Sequence, residues 1–445
     1  STFREPAELS EPPAVDGVDL TPMATIDLTE RAGWYVAGDR RILLTQVPEA
    51  YWGEPMILVE EAGRIDRAYA LDDHRLLTDD GDVIELRADG GIDIAGTAWH
   101  RAGFVEQQVS FDVAGVRIDG TVITPGGDGP YPAAVVLHGA AGGQRDFCRM
   151  HAGALLDAGV AVLIYDKAGH GRSEGAEPTI FDQANAAEAA IEVLAARPDI
   201  DTARIGVAGF SNGMWAAPMV AARRPDVAFI AGVGAPVVSM AASEVHRRTK
   251  ILREAGAGPD TLAAVAEAWG CIFATVSVGP SDETSARLAV ALATVKAATD
   301  LDGYEVPDYI RNNPMLSPIP PEVTAEDLVA MVGDERDPEL GYEPAADYAR
   351  VTCPVLLQYG EHDTSVPVEA SVSAASGAVP ADRLTTIVYP GLEHMLNVVP
   401  DGLSRLSAEE AMYLFHRFSF GSAVWTDLAT WCADAGLTAQ AAARA

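Results

Sequence analysis

The order of apolar and polar positions changes along the chain and predicts different kinds of structure in different segments. Before residue 104, short stretches alternate apolar with polar residues and are separated by turn sequences such as Asp79-Asp80-Gly81. Strict alternation is typical of strands with one buried face. The clearest strands are predicted at residues 56–59, 64–69, 82–86 and 91–94. We therefore expect a small β-rich domain over residues 23–104, preceded by a proline-rich, acidic arm over residues 1–22.

Continuous apolar runs replace this alternation at residues 105–236 and again at residues 351–445. The runs at residues 133–137, 160–164 and 353–359 are apolar at nearly every position, which is typical of strands buried on both faces. Segments with helical spacing lie between these runs. Alternating strands and helices predict a mostly parallel sheet covered by helices on both faces. We interpret the two segments as the first and second parts of one α/β core.

The residues between these two parts, 237–350, show a helical spacing of Ala, Leu and Val. The pattern predicts helices at residues 244–255, 260–275 and 283–299. We therefore expect this segment to be a helical insertion in the α/β core.

Ser211 lies in the sequence Gly209-Phe210-Ser211-Asn212-Gly213, between a predicted strand at residues 204–208 and a predicted helix at residues 214–223. A serine at a sharp turn from strand to helix exposes its hydroxyl, and its neighbours must be small because the turn is strained. The helix N-terminus directs backbone N–H groups toward the same point, where an oxyanion would be stabilised. The pattern predicts a nucleophile elbow with Ser211 as the nucleophile.

A loop of small residues, His138-Gly139-Ala140-Ala141-Gly142-Gly143, follows the predicted strand at residues 133–137. Small residues allow backbone N–H groups to approach a tetrahedral intermediate closely. We predict that the N–H groups of Ala140 and Asn212 form the oxyanion hole. The alternative for this loop, taken alone, is an ordinary glycine-rich turn.

An acid and a base follow two successive strands near the end of the chain. Asp363 comes after the predicted strand at residues 353–359, and His394 comes after the next strand at residues 384–389. With Ser211 they have the residue types and the chain order of a catalytic triad. His394 would accept the proton of Ser211, and Asp363 would hold the imidazole in the required tautomer.

Two neighbours in the same loop compete for these roles: Glu361 as the acid and His362 as the base. We favour Asp363 because Val366-Pro367 follows it in the way such loops usually close. Each of these residues, taken singly, has an alternative as an ordinary surface loop position.

The sequence Asp166-Lys-Ala-Gly-His-Gly-Arg-Ser173 follows the predicted strand at residues 160–164. We interpret it as a structural turn that braces the sheet edge beside the oxyanion loop. Its histidine, His170, is expected to be packed or solvated rather than catalytic.

Residues 105–420 resemble the α/β-hydrolase superfamily on the strength of these motifs. Within this range, residues 116–236 are similar to a group of bacterial serine esterases and peptidase-like hydrolases, which share the Gly120-Thr-Val-Ile-Thr-Pro125 strand, the His-Gly loop and the Asp-x-x-Gly-x-Gly-x-Ser turn. The resemblance implies an α/β-hydrolase fold and the same triad and oxyanion residues. It also implies that residues 237–350 form a lid over Ser211. The chain departs from the group after the serine, with Ser-Asn-Gly-Met where Ser-Glu-Gly-Gly is frequent.

Charge and composition limit the partners of this 445-residue chain. Asp and Glu number 65 against 31 Lys and Arg, a formal net charge of −34. So acidic a surface repels nucleic acids and anionic membranes, so neither is expected as a partner. The four cysteines have no paired metal spacing, and no metal or organic cofactor is implied. No apolar segment of membrane-spanning length and no signal peptide are expected, which favours a cytoplasmic protein; the alternative is a secreted protein whose signal has been removed.

The sequence as a whole predicts a serine hydrolase that cleaves a carboxylic ester or thioester of a small to medium molecule. One alternative is an aminopeptidase-like peptidase, in which Glu244 or Asp334 would bind a substrate amine. Others are an acyltransferase or cyclase of natural-product biosynthesis and a non-catalytic binding module. The expected partner is a small-molecule acyl substrate, and a second copy of the chain in a homodimer is also considered. The candidate walls of the substrate pocket are Trp215, Trp269, Tyr304 and Tyr309. The alternative role of these aromatic side chains is simple packing.

Overall fold

The computed structural model describes residue 28 and residues 31–47, 56–61, 64–78, 80–140, 143–254, 256–297, 336–396 and 421–438. Within these ranges the chain forms one closed and one open β-sheet. The predicted arm at residues 1–22 lies outside the described residues.

The first sheet is a closed barrel in which consecutive strands pair antiparallel. Pairing of Tyr35 with Arg101 and of Val36 with His100 joins the first strand to the last. The β-rich domain is confirmed, although the sequence predicted only four of these strands and not the closure. The strands are β1 (Gly33–Ala37), β2 (Arg40–Val47), β3 (Met56–Glu61), β4 (Arg64–Asp72), β5 (Arg75–Thr78), β6 (Val83–Leu86), β7 (Ile92–Ile94) and β8 (Thr97–Arg101).

Side-chain alternation gives the barrel an interior and a docking face. Residues such as Ile42, Leu44 and Trp99 are buried in the barrel's own core. Leu43 and Leu58 point the other way and pack in the hydrophobic core of the second sheet, as expected from the period of two along a strand. The barrel is therefore attached to the rest of the chain through buried apolar side chains.

The second sheet has eight strands in the order β16-β15-β14-β13-β11-β12-β10-β9. β11 to β16 are paired in parallel, whereas β9 and β10 form an antiparallel edge. This arrangement confirms the predicted α/β-hydrolase fold. The strands are β9 (Val105–Val113), β10 (Val116–Thr124), β11 (Tyr131–Leu137), β12 (Ala161–Tyr165), β13 (Ile200–Phe210), β14 (Ile230–Val233), β15 (Val355–Gly360) and β16 (Leu384–Tyr389).

Helices cover both faces of this sheet, because successive residues of the central strand β11 are apolar and point to opposite sides. Val135 belongs to the core on one face, with α2, α3 and α8. Val136 belongs to the core on the other face, with α1, α9 and the barrel. The helices are α1 (Arg149–Asp157), α2 (Ile180–Ala195), α3 (Gly213–Arg223), α4 (Met240–Glu254), α5 (Pro259–Val278), α6 (Asp282–Ala297), α7 (Pro344–Tyr348), α8 (Val368–Ala378) and α9 (Ser422–Asp434).

Helices α4, α5 and α6 lie in the segment for which a helical insertion was predicted, close to the predicted bounds. Of these, α5 corrects the expectation that no apolar segment would reach the length of a membrane span. It is 20 residues long and contains an 18-residue stretch with a mean hydropathy of 1.6. By length and composition it could cross a membrane, and it is the one helix to meet that criterion in the part of the chain that the structure describes. A third of this stretch is buried. Cys271 and Ile272 pack against Leu288 and Leu292 of α6. The length and composition of α5 alone do not distinguish a membrane span from a core helix.

Candidate active site

Ser211 occupies the turn between β13, which ends at Phe210, and α3, which begins at Gly213. Its φ of +50° lies in the left-handed region, which non-glycine residues adopt only under constraint. The N–H of Ser211 donates to the carbonyl of Val233 on the neighbouring strand at 2.9 Å. The sheet therefore holds the strained turn in place, as a nucleophile elbow requires.

The two glycines of the motif are needed because the elbow lies against the end of β11. A Cβ atom at Gly209 would be 2.9 Å from the Cβ atom of Leu137. One at Gly213 would be 2.5 Å from the carbonyl oxygen of His138 and 2.7 Å from the same Leu137 atom. Contacts this short do not occur between real atoms of these types, so larger residues would displace Ser211.

The imidazole of His394 lies between Ser211 and Asp363. Its Nε2 is 2.9 Å from the Oγ atom of Ser211, and its Nδ1 is 2.8 Å from the Oδ2 atom of Asp363. With the proton on Nδ1, the ring donates to the carboxylate and accepts from the serine hydroxyl. The three residues that the sequence singled out, which lie on three different loops, are thus brought into hydrogen-bond contact.

Asp363 is fixed by the loop that follows β15. Its Oδ1 atom accepts the backbone N–H groups of Ser365 at 2.8 Å and Val366 at 2.7 Å, which leaves Oδ2 for His394. The side chain is buried. These bonds keep the carboxylate oriented toward the imidazole.

The two competing residues of this loop do not reach the contact. Glu361 is exposed, and its Oε2 atom accepts the N–H of Gly391 at 3.0 Å. His362 is exposed, and its backbone N–H donates to the carbonyl of Leu392. Both residues join the loop after β15 to the loop after β16, so their contacts are structural.

The predicted oxyanion loop, residues 138–143, begins at His138, which is buried and hydrogen-bonded through Nε2 to the carbonyl of Tyr165. The carbonyl of Ala140 is 3.4 Å from the Nζ atom of Lys167, a side chain that is 2% exposed. Ala141 and Gly142 lie outside the described residues. The role of the Ala140 N–H as an oxyanion donor stays a prediction.

Asn212, the other predicted donor, is the N-cap of α3. Its side-chain Oδ1 atom accepts a hydrogen bond of 2.9 Å from Nε2 of Gln183, a buried residue of α2. The contact fixes the residue whose N–H was predicted to face the oxyanion. Sequence reasoning missed Gln183, which lies in an alanine-rich helix with no motif around it.

The turn that follows β12 is organised around Asp166. Its carboxylate accepts the backbone N–H groups of Arg145 at 2.8 Å and Arg172 at 2.9 Å, and it forms a buried ion pair with the Arg145 side chain. Burial raises the pKa of Asp166, but these hydrogen bonds and the Arg145 charge outweigh that effect and lower it. The ring of His170 lies over Gly143 and contacts Glu177. The contacts agree with the structural interpretation of this turn.

The candidate pocket walls have different surroundings. Trp215 is buried in the hydrophobic core, and its indole N–H donates to the carbonyl of Val238 at 2.8 Å. Trp269 stacks on Phe273 with ring centroids 5.5 Å apart, and Arg248 lies 4.1 Å from the ring centre. Both tryptophans therefore make packing contacts. Tyr304 and Tyr309 lie outside the described residues.

An open, mostly parallel sheet with helices on both faces, an elbow serine and a histidine–aspartate pair beyond later strands define an α/β hydrolase. A model of the alpha/beta hydrolase family matches residues 134–406, which is more than half of the chain. The chain belongs to that family. Among the residues that the structure describes, no three His, Cys, Asp or Glu side chains form a group that could hold a metal ion.

Among curated proteins, the chain is similar to an uncharacterized protein of Mycobacterium tuberculosis, found in strains H37Rv and CDC 1551. The two are 36% identical over 129 residues, which is 28% of this chain and 44% of the relative. The chain thus spans less than half the length of the curated relatives it matches.

Several solved structures are similar at low identity. A 2,6-dihydroxy-pseudo-oxynicotine hydrolase is 18% identical, with 74% of this chain and 67% of that chain covered and a TM-score of 0.42. A proline iminopeptidase of Mycobacterium smegmatis is 19% identical, with 74% and 99% covered and a TM-score of 0.43. An esterase of Pyrococcus furiosus is 16% identical, with 74% and 93% covered and a TM-score of 0.41. None of these similarities indicates a substrate for this chain.

Proposed function

We propose that this protein is a serine hydrolase that cleaves a carboxylic ester or thioester of a small to medium molecule. The observation that carries the proposal is the position of His394, with Nε2 2.9 Å from Ser211 Oγ and Nδ1 2.8 Å from the buried carboxylate of Asp363. Nucleophile, base and orienting acid at these distances are the parts that acyl transfer through a serine requires.

The reaction would proceed in two halves. His394 accepts the hydroxyl proton of Ser211 while Oγ attacks the acyl carbonyl, and the resulting oxyanion is held by the N–H groups of Ala140 and Asn212. Collapse of the tetrahedral intermediate breaks the bond to the leaving group, which takes the proton from His394. Water then attacks the acyl-enzyme with His394 again as the base, which releases the acid and restores Ser211.

The charge of the protein supports a neutral or cationic substrate. The chain carries a formal net charge of −34, and a field of that sign lowers the local concentration of anions and raises that of cations.

The peptidase alternative needs an acidic group that can bind the amino terminus of a substrate. Glu244 does not offer an unpaired charge, because its Oε2 atom lies 2.7 Å from Arg247 and 2.5 Å from Arg248. Asp334, the other residue considered, lies outside the described residues. We therefore place ester and thioester cleavage first.

The proposal is tested by hydrolysis of p-nitrophenyl esters from acetate to laurate and by labelling with a fluorophosphonate. The wild type should turn over at least one ester and gain one phosphonyl group, whereas Ser211→Ala should do neither. Ser110→Ala, at an exposed position of β9, is the control and should behave as the wild type.

Substantial activity of Ser211→Ala would overturn the assignment of the nucleophile. Aminoacyl p-nitroanilides and an added alcohol acceptor, assayed in parallel, separate the alternatives. Cleavage of the anilides alone would favour a peptidase, and a product with the mass of a transferred acyl group would favour an acyltransferase.

A further inference from the structure

Helix α4 contacts the loop that carries Asp363 through a lysine that the proposed reaction does not use. The Nζ atom of Lys250 donates to the backbone carbonyl of His362 at 2.9 Å and to that of Asp363 at 2.9 Å. The two partners lie more than a hundred residues further along the chain, in the second part of the α/β core. One ammonium group therefore links the first helix of the insertion to two consecutive peptide units.

These two peptide units determine where the carboxylate of Asp363 points. The side chain is held on its other side by the N–H groups of Ser365 and Val366, while Lys250 holds the main-chain carbonyls from outside the loop. A rotation of the 362–363 or 363–364 peptide would move Oδ2 away from His394. The loop is thus fixed from within by its own amides and from without by the helix.

Lysine suits this contact for a chemical reason. An ammonium group has three donors and no acceptor, so it can donate to two carbonyls at once. The chain has only three lysines, Lys167, Lys250 and Lys296, and uses arginine for its other strong cations. Two of the three hold carbonyls of loops next to Ser211, since Lys167 contacts the oxyanion loop.

His246 lies one turn before Lys250 and contacts the same aspartate. Burial lowers the pKa of His246 and the charge of Lys250 lowers it further, whereas Asp363 acts in the opposite direction through its backbone and its charge. Residues four apart share one face of a helix. Both side chains therefore belong to one face of α4 that rests on the acid loop.

We infer that Lys250 is a positioning residue that couples the docking of α4 to the geometry of the Asp363–His394 pair. The inference rests on the proposed function, since it assigns Lys250 a role in orienting the triad acid. If α4 moves away from the loop, the carbonyls of His362 and Asp363 lose the ammonium donor. Asp363 is then held by the N–H groups within its own loop and no longer by α4. The enzyme would then reach full activity only with this helix in place.

The test compares Lys250→Met, Lys250→Arg and the control Arg253→Met in the full-length chain. Methionine keeps the length and apolar stem of lysine but removes all three donors. Arginine keeps the charge and can donate to both carbonyls. Arg253 lies on the same helix, is exposed, and acts on His246 through its charge, so its removal measures the effect of losing one positive charge from this helix.

Active sites are counted with a fluorophosphonate, and kcat per labelled site and KM are measured with the best p-nitrophenyl ester. Lys250→Met should lower kcat per site by roughly 10²-fold, the effect of a displacement of about 1 Å in catalytic geometry, with KM changed by less than about threefold. Lys250→Arg should recover at least about a tenth of wild-type kcat, and Arg253→Met should stay within about twofold of the wild type.

Two results would overturn the inference while leaving the proposed function intact. One is a Lys250→Met enzyme with wild-type kcat per labelled site. The other is a Lys250→Met enzyme that has fewer labelled sites and a lower melting temperature but unchanged kcat per site, because that outcome shows a purely structural role. Failure of the proposed function looks different, since the wild type itself would then be neither labelled nor active.

Discussion

Gly234 lies directly against the imidazole ring of His394. A Cβ atom at Gly234 would be 3.0 Å from Cε1 and 3.2 Å from Nδ1 of the ring, and the residue has φ of +55°. The loop after β14 therefore forms one wall of the space that the imidazole of His394 occupies. A side chain here would push the ring away from Ser211 or from Asp363.

We predict that Gly234→Ala lowers kcat/KM by at least about tenfold, because a misplaced catalytic group is costly even over small distances. The variant should also lose roughly 1–2 kcal/mol of unfolding free energy from the left-handed backbone. Gly436→Ala is the matched control: Gly436 has φ of +69° with no atom within 4 Å of its Cβ position. It should lose stability and keep its activity; equal activity of the two variants would contradict the prediction.

Asp363→Asn should lower kcat by about 10⁴-fold, as an amide facing Nδ1 selects the wrong tautomer of the histidine. The bonds from Ser365 and Val366 can be kept by the remaining Oδ1 atom, so the fold should be preserved. Glu361→Gln should change kcat by less than about threefold, because Glu361 is exposed and does not reach His394. Steady-state kinetics on both variants decides between the two acids. A larger loss of kcat in Glu361→Gln than in Asp363→Asn would show that the acid is assigned incorrectly.

The buried pair of Arg145 and Asp166 supports the turn beside the oxyanion loop. Arg145→Met should lower the free energy of unfolding by about 3–5 kcal/mol, because it leaves the charge of Asp166 buried and uncompensated. The double variant Arg145→Met/Asp166→Leu should lose less than the single one. Urea unfolding followed by circular dichroism measures both. The exposed pair of Arg40 and Glu61 provides a comparison, and Arg40→Met should have little effect.

Asp166 should also contribute to the pH dependence of stability. Its pKa is lowered in the folded protein, whereas an unfolded aspartate titrates near 3.9. The stabilisation is therefore complete above about pH 5 and is lost as the pH falls through the folded pKa, since the unfolded state then binds more protons. Between about pH 5 and pH 2.5, the free energy of unfolding should fall less steeply for Asp166→Asn than for the wild type. The same loss of unfolding free energy with pH in both proteins would contradict this prediction.

The four cysteines should be unreactive in the native protein. All are buried and free, and burial raises the pKa of Cys353 to about 11 and that of Cys432 to about 12. The thiolate is the reactive form, so a thiol reagent at pH 8 finds little of it. We expect fewer than one thiol per chain to react quickly in the native state and all four after unfolding in guanidinium. Fast reaction of one thiol would show that its surroundings open.

The residues of the candidate triad could be predicted from the sequence because local patterns mark them. Ser211 has small neighbours at positions where a Cβ atom would collide with the end of β11, and that requirement is visible in five consecutive letters. Asp363 and His394 each follow an apolar strand, and parallel strands place their carboxyl ends at one edge of the sheet. Strand order then brings together residues that lie far apart in the chain.

Contacts between distant segments left no such mark. Lys250 is one polar residue among several on α4, and nothing near it in the sequence points to the carbonyls of His362 and Asp363. Gln183 is equally inconspicuous before α2 is packed beside the elbow. The closure of the barrel was missed because it depends on the pairing of β1 with β8, which are separated by more than sixty residues and carry short, unremarkable alternations.

The pairing of β1 with β8 has a consequence for how two copies of this chain can meet. A sheet grows by adding a strand to unpaired backbone groups at its edge, and each barrel strand already has a neighbour on both sides. Among the described strands, those at the two edges of the open sheet are β9 and β16, where Val105 and Val388 are exposed. Dimerisation by strand addition would therefore join the open sheets of two α/β cores into one continuous sheet. The two barrels would lie beside this sheet and would not take part in the strand pairing.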